Sequence, residues 1–567
     1  MSDWLRRAAA ERTARPGTGA GDVLAAALVL ALADVAGAGV APPAPVDAVV
    51  LAGASVVEAD SAARGRLIGR VDILTHNVFD PAPGSRLGAL ERLGNRLHIR
   101  TRVGTIRRQL LFEPGDRWSE ERARETMRNL RALNYLDPVR VQAQRVADSA
   151  QVLIETRDLW TMTPRFNIAS AGGHRVGSIG VTDRNVLGHG KSLALSYRDD
   201  DNGRSWHVAY DDPNLGGGHH RLHYASGIGN EGANDEINVG LPFFAEQTVR
   251  AYSAGWSRST FVRHLYSDGA ERASFDERSE RVDLWIGGRR PAGRVIRRLI
   301  GAFELWDRRL GPSRLLPGAP PGFAGSEENI HIRRLAGEVV WWRPGFVEHT
   351  DVNRFTRIED FDVGGQLGLK LGFAPRAFGS SDDEGLVRLR LDLGAKTPLG
   401  FGWAHATGSS RLRPESVERI LQLEARWYSQ IHSSHTFAIG ASGVSGVNTP
   451  RDFQAAAGGL NGLRAYPVDA VVGQRLWRLN AEERWRFSPA RWEFINLGSA
   501  VFLDAARAWG TGAADTGWFR DAGVGLRIGS RSWGLSEVMR VDVAWPIEPT
   551  RNGGNRPVLT FGSSQAF

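Results

Sequence analysis

GGLNGLRAYPVDAVVGQRLWRLNAEERWRFSPARWEFINLGSAVFLD, residues Gly458 to Asp504, opens as a glycine-rich loop around Leu463-Arg464-Ala465-Tyr466 and continues as two alternating segments that read as neighbouring β-strands. In the first segment Arg478, Asn480, Glu482, Arg484 and Arg486 share one face. Trp477, Leu479, Ala481, Trp485 and Phe487 share the other, with Glu483 the one exception. A soluble sandwich would pack the apolar face on a core, whereas a membrane barrel would turn it to lipid and line its lumen with the charges. Alternation alone does not choose between the two.

Composition narrows the choice. A soluble chain of 567 residues is expected to divide into several domains, but one barrel can absorb a long run of strands. Cysteine is absent, which excludes disulfides, thiolate metal sites and cysteine nucleophiles together. The 67 glycines and 18 tryptophans suit many tight turns and rings seated at a membrane interface. The formal charge of +8 comes almost wholly from dispersed arginine, since Lys191, Lys370 and Lys396 are the only lysines. With no dense basic tract and no aromatic interleaving, nucleic-acid binding is not expected; an arginine-lined lumen explains the charge as well.

Residues 1–41 read as a signal-like leader. The apolar run Val23 to Val35 follows Arg6, Arg7, Arg12 and Arg15 and precedes small residues, although Asp34 interrupts it. No other segment approaches the roughly 20 apolar residues of a membrane helix. If the chain spans a bilayer, it does so as strands.

A linker rich in Ala, Pro and Val, residues 42–64, leads to a strand at Arg66 to Leu74. Helical spacing then places Ile106, Leu110 and Leu111 on one face, and Ser119 caps a second helix through Met127 and Leu130 to about Leu133. Strands at Val139 to Arg145 and Gln151 to Thr156 complete a β-α-α-β-β order. On the runs Thr105 to Asp116, Asn129 to Leu136 and Thr156 to Trp160, residues 65–160 resemble a POTRA domain, the periplasmic module of the BamA/TamA/Sam superfamily of outer-membrane assembly and secretion barrels. Residues 47 to 98 exceed what its first strand requires and leave room for an incomplete second module.

From residue 161 to 567 helical signals stop and alternating segments recur. In Leu386 to Leu393, Val387, Leu389, Leu391 and Leu393 oppose Arg388, Arg390 and Asp392; Arg540 to Trp545 repeats the scheme, as do Val282, Leu284 and Ile286 against Arg281 and Asp283. The expected fold is therefore mainly β, a transmembrane antiparallel barrel behind a small α+β domain. Between sixteen and twenty strands fit the segments, and the resemblance implies sixteen. The turns Asp183 to Gly190 and Asp211 to Gly217 suit the periplasmic rim, and Pro312 to Glu328 and Ser380 to Glu384 suit external loops.

Gly459 to Tyr466 resembles a loop motif of the same superfamily, in which a glycine-rich run ending in Arg-Gly-Phe/Tyr folds back into the barrel. Gly459, Arg464 and Tyr466 take its positions, and Ala465 replaces the usual glycine. The resemblance implies that Arg464 pairs with acidic groups on barrel strands. Asp504, in Phe502-Leu503-Asp504-Ala505-Ala506, matches a Phe-x-Asp-x-Gly motif with Ala for Gly. Glu482 is the second acid, chosen because it shares the ionic face with Arg484 and Arg486. The two alanines put a close backbone approach in question. At the chain end Phe561, Ser563, Gln565 and Phe567 share a face and resemble an outer-membrane targeting strand. It is expected to meet the first barrel strand, about Thr163 to Ser170, at a seam loosened by Gly562.

Enzymatic patterns fail on inspection. Gly190-Lys191-Ser192 lacks the leading glycine of a phosphate loop because Asn185 stands there, and Gly227 to Gly232 sits between strands rather than before a helix. His219 and His220 are adjacent and would face opposite ways on a strand. No catalytic residues, cofactor or metal are expected. The resemblance implies an outer-membrane protein that assists insertion or translocation of unfolded outer-membrane or secreted polypeptides, alongside lipid and periplasmic or lipoprotein accessory partners. A two-partner-secretion-type exporter and a passive porin with a periplasmic binding module are the alternatives.

Overall fold

The computed structural model describes residues 56–565 except 60, 82–87, 172–173, 201–202, 268, 431, 433, 460, 468, 488–494, 511–514, 531–537, 550–555 and 564. The leader and Phe567 lie outside the described residues.

The N-terminal unit is a four-stranded sheet carrying three α-helices. Its strands are β1 (Val56–Ala59), β2 (Leu67–His76), β3 (Leu136–Val146) and β4 (Ser149–Asp158), in the order β1-β3-β4-β2. Its helices are α1 (Gly88–Leu97), α2 (Val103–Arg107) and α3 (Glu120–Ala132). The Ser119 side chain accepts from the Arg122 amide at 3.4 Å, and Glu120 and Glu121 sit in the first turn, where carboxylates suit the helix dipole. Ile106, Phe112, Met127 and Leu130 pack onto Val139, Val141, Val152 and Ile154. The helical reading of Ile106, Leu110 and Leu111 holds only in part, because α2 ends at Arg107. Two features were not anticipated. Val56–Ala59 adds a parallel strand against Arg140–Ala143, and residues 88–97 are helical; the surplus chain before residue 98 thus extends this unit instead of starting a second.

Twenty antiparallel strands, from Met162–Ala171 to Val558–Gly562, close into a barrel, and a two-residue strand, Arg314–Leu315, pairs at one rim. The resemblance implied sixteen. The four extra strands show how little single-strand alternation constrains a count: long segments such as Arg250–Ser267 and Ala270–Ala292 carry no internal break, while short ones such as Gly232–Leu241 are easily merged with a neighbour. Every barrel pairing is antiparallel, and away from the junction of the last strand with the first each strand supplies its neighbour's backbone partners, as spanning hydrocarbon demands.

Burial alternates along the wall. In Asn496–Trp509 the even-numbered residues face inward and are buried, whereas Val501 and Leu503 are exposed outward. Trp477, Leu479, Leu389 and Leu393 are exposed in the same way. Large apolar groups on the outside of a closed barrel with a charged interior identify a membrane barrel of the outer-membrane type. Among the described residues no helix is long and apolar enough to cross a membrane.

Leu389→Arg should cost the barrel about 2–4 kcal/mol, read as a lower urea midpoint in lipid vesicles. Arg388→Leu, on the lumen side, should move that midpoint much less.

Candidate functional site in the barrel lumen

Strand register fixes the acids of the site. Asn480 is opposite Asp504, Asp504 is opposite Asp521, and Gly525 is opposite Asp542. With Glu482 two residues beyond Asn480, carboxylates from four consecutive strands converge on one side of the lumen. The loop from Val447 to Arg475 brings a cation to them. Gly458 has φ +151° and a Cβ there would lie 1.8 Å from the Pro467 carbonyl oxygen, so no side chain fits. Gly459, at φ +58°, donates its amide to the Tyr466 carbonyl at 2.7 Å and folds the loop back on itself.

Arg464 is 2% exposed. Its Nε and Nη2 donate to the two oxygens of Asp504 at 2.7 and 3.0 Å, a bidentate fork. Nη1 reaches Glu482 at 3.1 Å and Asp542 at 3.2 Å. The guanidinium carbon lies 3.3 Å from the centroid of the Phe502 ring, a cation held over a π face. Glu482 accepts in addition from Arg527 Nη2 at 2.8 Å and Arg484 Nε at 3.1 Å. Asp542 accepts from Arg527 Nη1 at 2.5 Å and Arg540 Nη1 at 2.6 Å. Arg464, Arg484, Arg527 and Arg540 thus stand among Glu482, Asp504, Asp521 and Asp542.

The structure brings Gly459, Arg464, Tyr466, Glu482 and Asp504 together. Ala465 does not hold the backbone away, because its amide donates to Asp521 at 3.0 Å. Tyr466 stacks edge-on against Phe519 at 5.2 Å, and its hydroxyl donates to the Arg520 carbonyl at 2.8 Å. Sequence reading missed Asp521, Arg527, Arg540 and Asp542 as members. The signal for Asp521 was present: Phe519-Arg520-Asp521-Ala522-Gly523 repeats the Phe-x-Asp spacing one strand later with its glycine intact. That glycine has a steric reason, since a Cβ on Gly523 would meet the Phe502 ring at 2.3 Å.

The other end of the loop is fixed across the lumen. Gln454 exchanges two 2.9 Å hydrogen bonds with the Tyr266 backbone, and Asp452 pairs with Arg308. At the opposite mouth, residues 344–364 form a hairpin, Phe346–Thr350 with Ile358–Asp362, that no sequence feature announced. It crosses from the strand Glu328–Arg343 toward the strands bearing the acids. Arg484 donates to the Val352 carbonyl at 2.9 Å, Arg486 pairs with Asp351 at 3.0 Å, and Phe355 rests against Gly498 and Gly529.

The N-terminal unit docks on this mouth. Arg131 of α3 pairs with Glu348 at 2.7 Å and Asp360 at 2.5 Å, Arg128 pairs with Glu246 at 2.9 Å, and Asn134 accepts from Arg354 at 2.7 Å. Glu125 accepts from the Glu246 amide at 2.6 Å, and burial lifts its carboxyl above the ordinary range.

Among the described residues the terminal strand meets the first through two pairs, Thr560 with Ala169 and Phe561 with Ile168, against ten between Met162–Ala171 and His174–Asp183. Gly562, the next residue along the terminal strand, lies opposite Arg540 on that strand's other neighbour. A Cβ on it would meet Arg540 Nε at 2.9 Å, so the glycine makes room for a luminal arginine. Lys191 of the rejected phosphate-loop pattern pairs with Asp212 at 3.3 Å, and among the described residues no group of histidine and acidic side chains is disposed to hold a metal.

No protein-family model matches the chain, and no curated protein does. Among solved structures it is similar to CdiB from Acinetobacter baumannii, at 11% identity and TM-score 0.44, over 88% of this chain and 73% of that one. It is similar to BamA from Haemophilus ducreyi lacking POTRA domains 1–3, at 13% identity and TM-score 0.37, over 88% and 84%. It is also similar to BauA, the ferric preacinetobactin receptor of A. baumannii, at 12% identity and TM-score 0.32, over 73% and 81%. Likenesses this loose assign no role.

Arg464→Ala leaves Asp504 and its neighbours without their central cation and should destabilise the barrel by roughly 3–5 kcal/mol. A lowered denaturation midpoint and new protease cleavage within residues 458–474 check this. Arg464→Lys should not restore the wild-type midpoint, because a single ammonium cannot reproduce the fork to Asp504.

Proposed function

We propose that this chain works at the bacterial outer membrane in the insertion or translocation of other polypeptides, with the N-terminal unit, of POTRA type, in the periplasm. The observation that carries the reading is the seam. Among the described residues, a first strand of ten is paired at its seam edge through two, and any backbone donor or acceptor left unmet in hydrocarbon costs several kcal/mol. An incoming strand satisfies them by backbone pairing, which tolerates many sequences.

The N-terminal sheet supplies a second place for such pairing beside the barrel mouth. Its β3 edge is covered by Val56–Ala59, and the start of β2 is covered by residues 115–118, where the Ile68 amide donates to Asp116 and the Trp118 amide to Arg66. Among the described residues the sheet edges without a strand partner are the outer side of Val56–Ala59 and the stretch from Arg70 to His76. A passive porin is disfavoured, since the Arg464 loop and the 344–364 hairpin both lie across the lumen.

Passage through the lumen, as in an exporter, is favoured by one fact only: twenty strands enclose a bore at least as wide as that of channel-forming barrels. Two cysteine pairs in this cysteine-free chain separate the readings. Ile168→Cys with Phe561→Cys locks the seam, joining residues directly opposite in register. Phe355→Cys with Gly529→Cys locks the hairpin, where an ideal Cβ on Gly529 lies 3.6 Å from that of Phe355. Under oxidation the seam lock should abolish the appearance of folded client barrels after depletion of the native protein, with recovery on reduction. Unchanged client levels with the seam locked would overturn the insertion reading, and loss only with the hairpin locked would favour passage through the lumen.

A further inference from the structure

Helix α1 is packed inside out for a soluble domain. Its polar and small residues face the protein: a Cβ on Gly94 would touch the Phe79 ring, Asn95 exchanges hydrogen bonds of 3.0 and 2.9 Å with the Phe79 backbone, and just beyond the helix His98 bonds Asp158 at 2.8 Å. Its leucines face away. Leu90, Leu93 and Leu97, spaced three and four apart, are 49%, 53% and 66% exposed, and Ile99 continues the stripe. Arg92 and Arg96 flank the leucines on the exposed side, and Arg100 follows. A solvated helix would gain by the reverse arrangement, because three outward leucines each forgo roughly half of the about 1.5–3 kcal/mol that full burial gives.

The position of the helix names the missing partner. Its C-terminal end is tied to the barrel rim: the Arg102 amide donates to the Gly188 carbonyl at 3.0 Å, and Asn185 donates to the Thr101 hydroxyl at 2.7 Å. Residues 185 and 188 form the turn between the second and third barrel strands, whose outer wall carries the exposed Ile179 and Val181, and Met162 is exposed at the start of the first strand. Four residues separate Leu97 from Thr101, so the stripe begins within about 14 Å of that rim. Trp160, at the entry to the first strand, lies beside His98 with ring centroids 6.2 Å apart, a ring at the level where tryptophan favours the membrane interface.

We propose that α1 lies in the head-group layer of the leaflet on the N-terminal side of the barrel, with Leu90, Leu93, Leu97 and Ile99 in the acyl boundary and Arg92, Arg96 and Arg100 at lipid phosphates. The apolar stripe then continues the lipid-facing wall next to the seam. An amphipathic helix with leucines on one face and arginines to the side of them has the composition of interfacial helices. The inference rests on the N-terminal unit sitting at a bilayer surface, and not on any client.

The test uses the full chain folded into vesicles of phosphatidylethanolamine and phosphatidylglycerol, with single cysteines at Leu93→Cys, Leu97→Cys or, as a control on an exposed site of α3, Arg124→Cys, each carrying an environment-sensitive fluorophore. Labels at positions 93 and 97 should emit to the blue of the control and be quenched about twofold more by lipids spin-labelled near the head group. The double variant Leu93→Asp with Leu90→Asp should cancel the quenching at position 97 while the barrel keeps its heat-resistant migration, since both leucines are exposed. Labels as wet as the control overturn the proposal. So does quenching that appears only when denatured polypeptide is added, or only at high protein-to-lipid ratio, which would mark the face as a client or self-association surface. Because no client is present in the main measurement, the outcome is independent of whether the seam inserts strands.

Discussion

A buried guanidinium with three carboxylates around it sets the terms for the rest of this barrel. Placing Arg464 in a crowded lumen without partners would be costly, and placing Glu482, Asp504 and Asp542 within four consecutive strands without cations would be costlier still. Each makes the other tolerable. The loop therefore has one low-energy position, and the strands that carry the acids must keep the register that aligns them, because a slip by one residue would turn every acid to lipid. The pairing stabilises a particular arrangement more than it adds to stability in general.

The N-terminal unit and the hairpin at residues 344–364 extend that logic to the opposite mouth. Arg131 reaches out of α3 to Glu348 and Asp360, and the hairpin in turn accepts from Arg484. Ionic contacts of this kind are geometrically specific; the exposed Glu348 can exchange its partner for water at modest cost, whereas the buried Arg131–Asp360 pair cannot. An interface of arginines and acids between two folded bodies suits parts that separate and rejoin, whereas a large apolar interface would fuse them.

Much of this was legible in the sequence, for identifiable reasons. Alternation along Arg475–Arg486 gave the inward set directly, because a strand has a fixed period of two, and even the anomaly Glu483 was visible. The capped helix after Ser119 was legible from one side chain. Strand number was not, since nothing in a sequence of alternating residues marks how many segments close a ring. The full ionic cluster was only half legible: Asp521, Arg527, Arg540 and Asp542 are ordinary lumen charges until register places them beside Arg464. The hairpin at 344–364 left no trace because the contacts that hold it at the mouth, from Arg131, Arg484 and Arg486, are distant in sequence, and α1 was overlooked because its apolar stripe is short and lies against no core.

Glu482 takes one hydrogen bond from the loop that enters through one mouth and another from Arg484, which grips the hairpin at the other. A single carboxylate is thus a common footing for the two segments that lie across the lumen, one from each mouth.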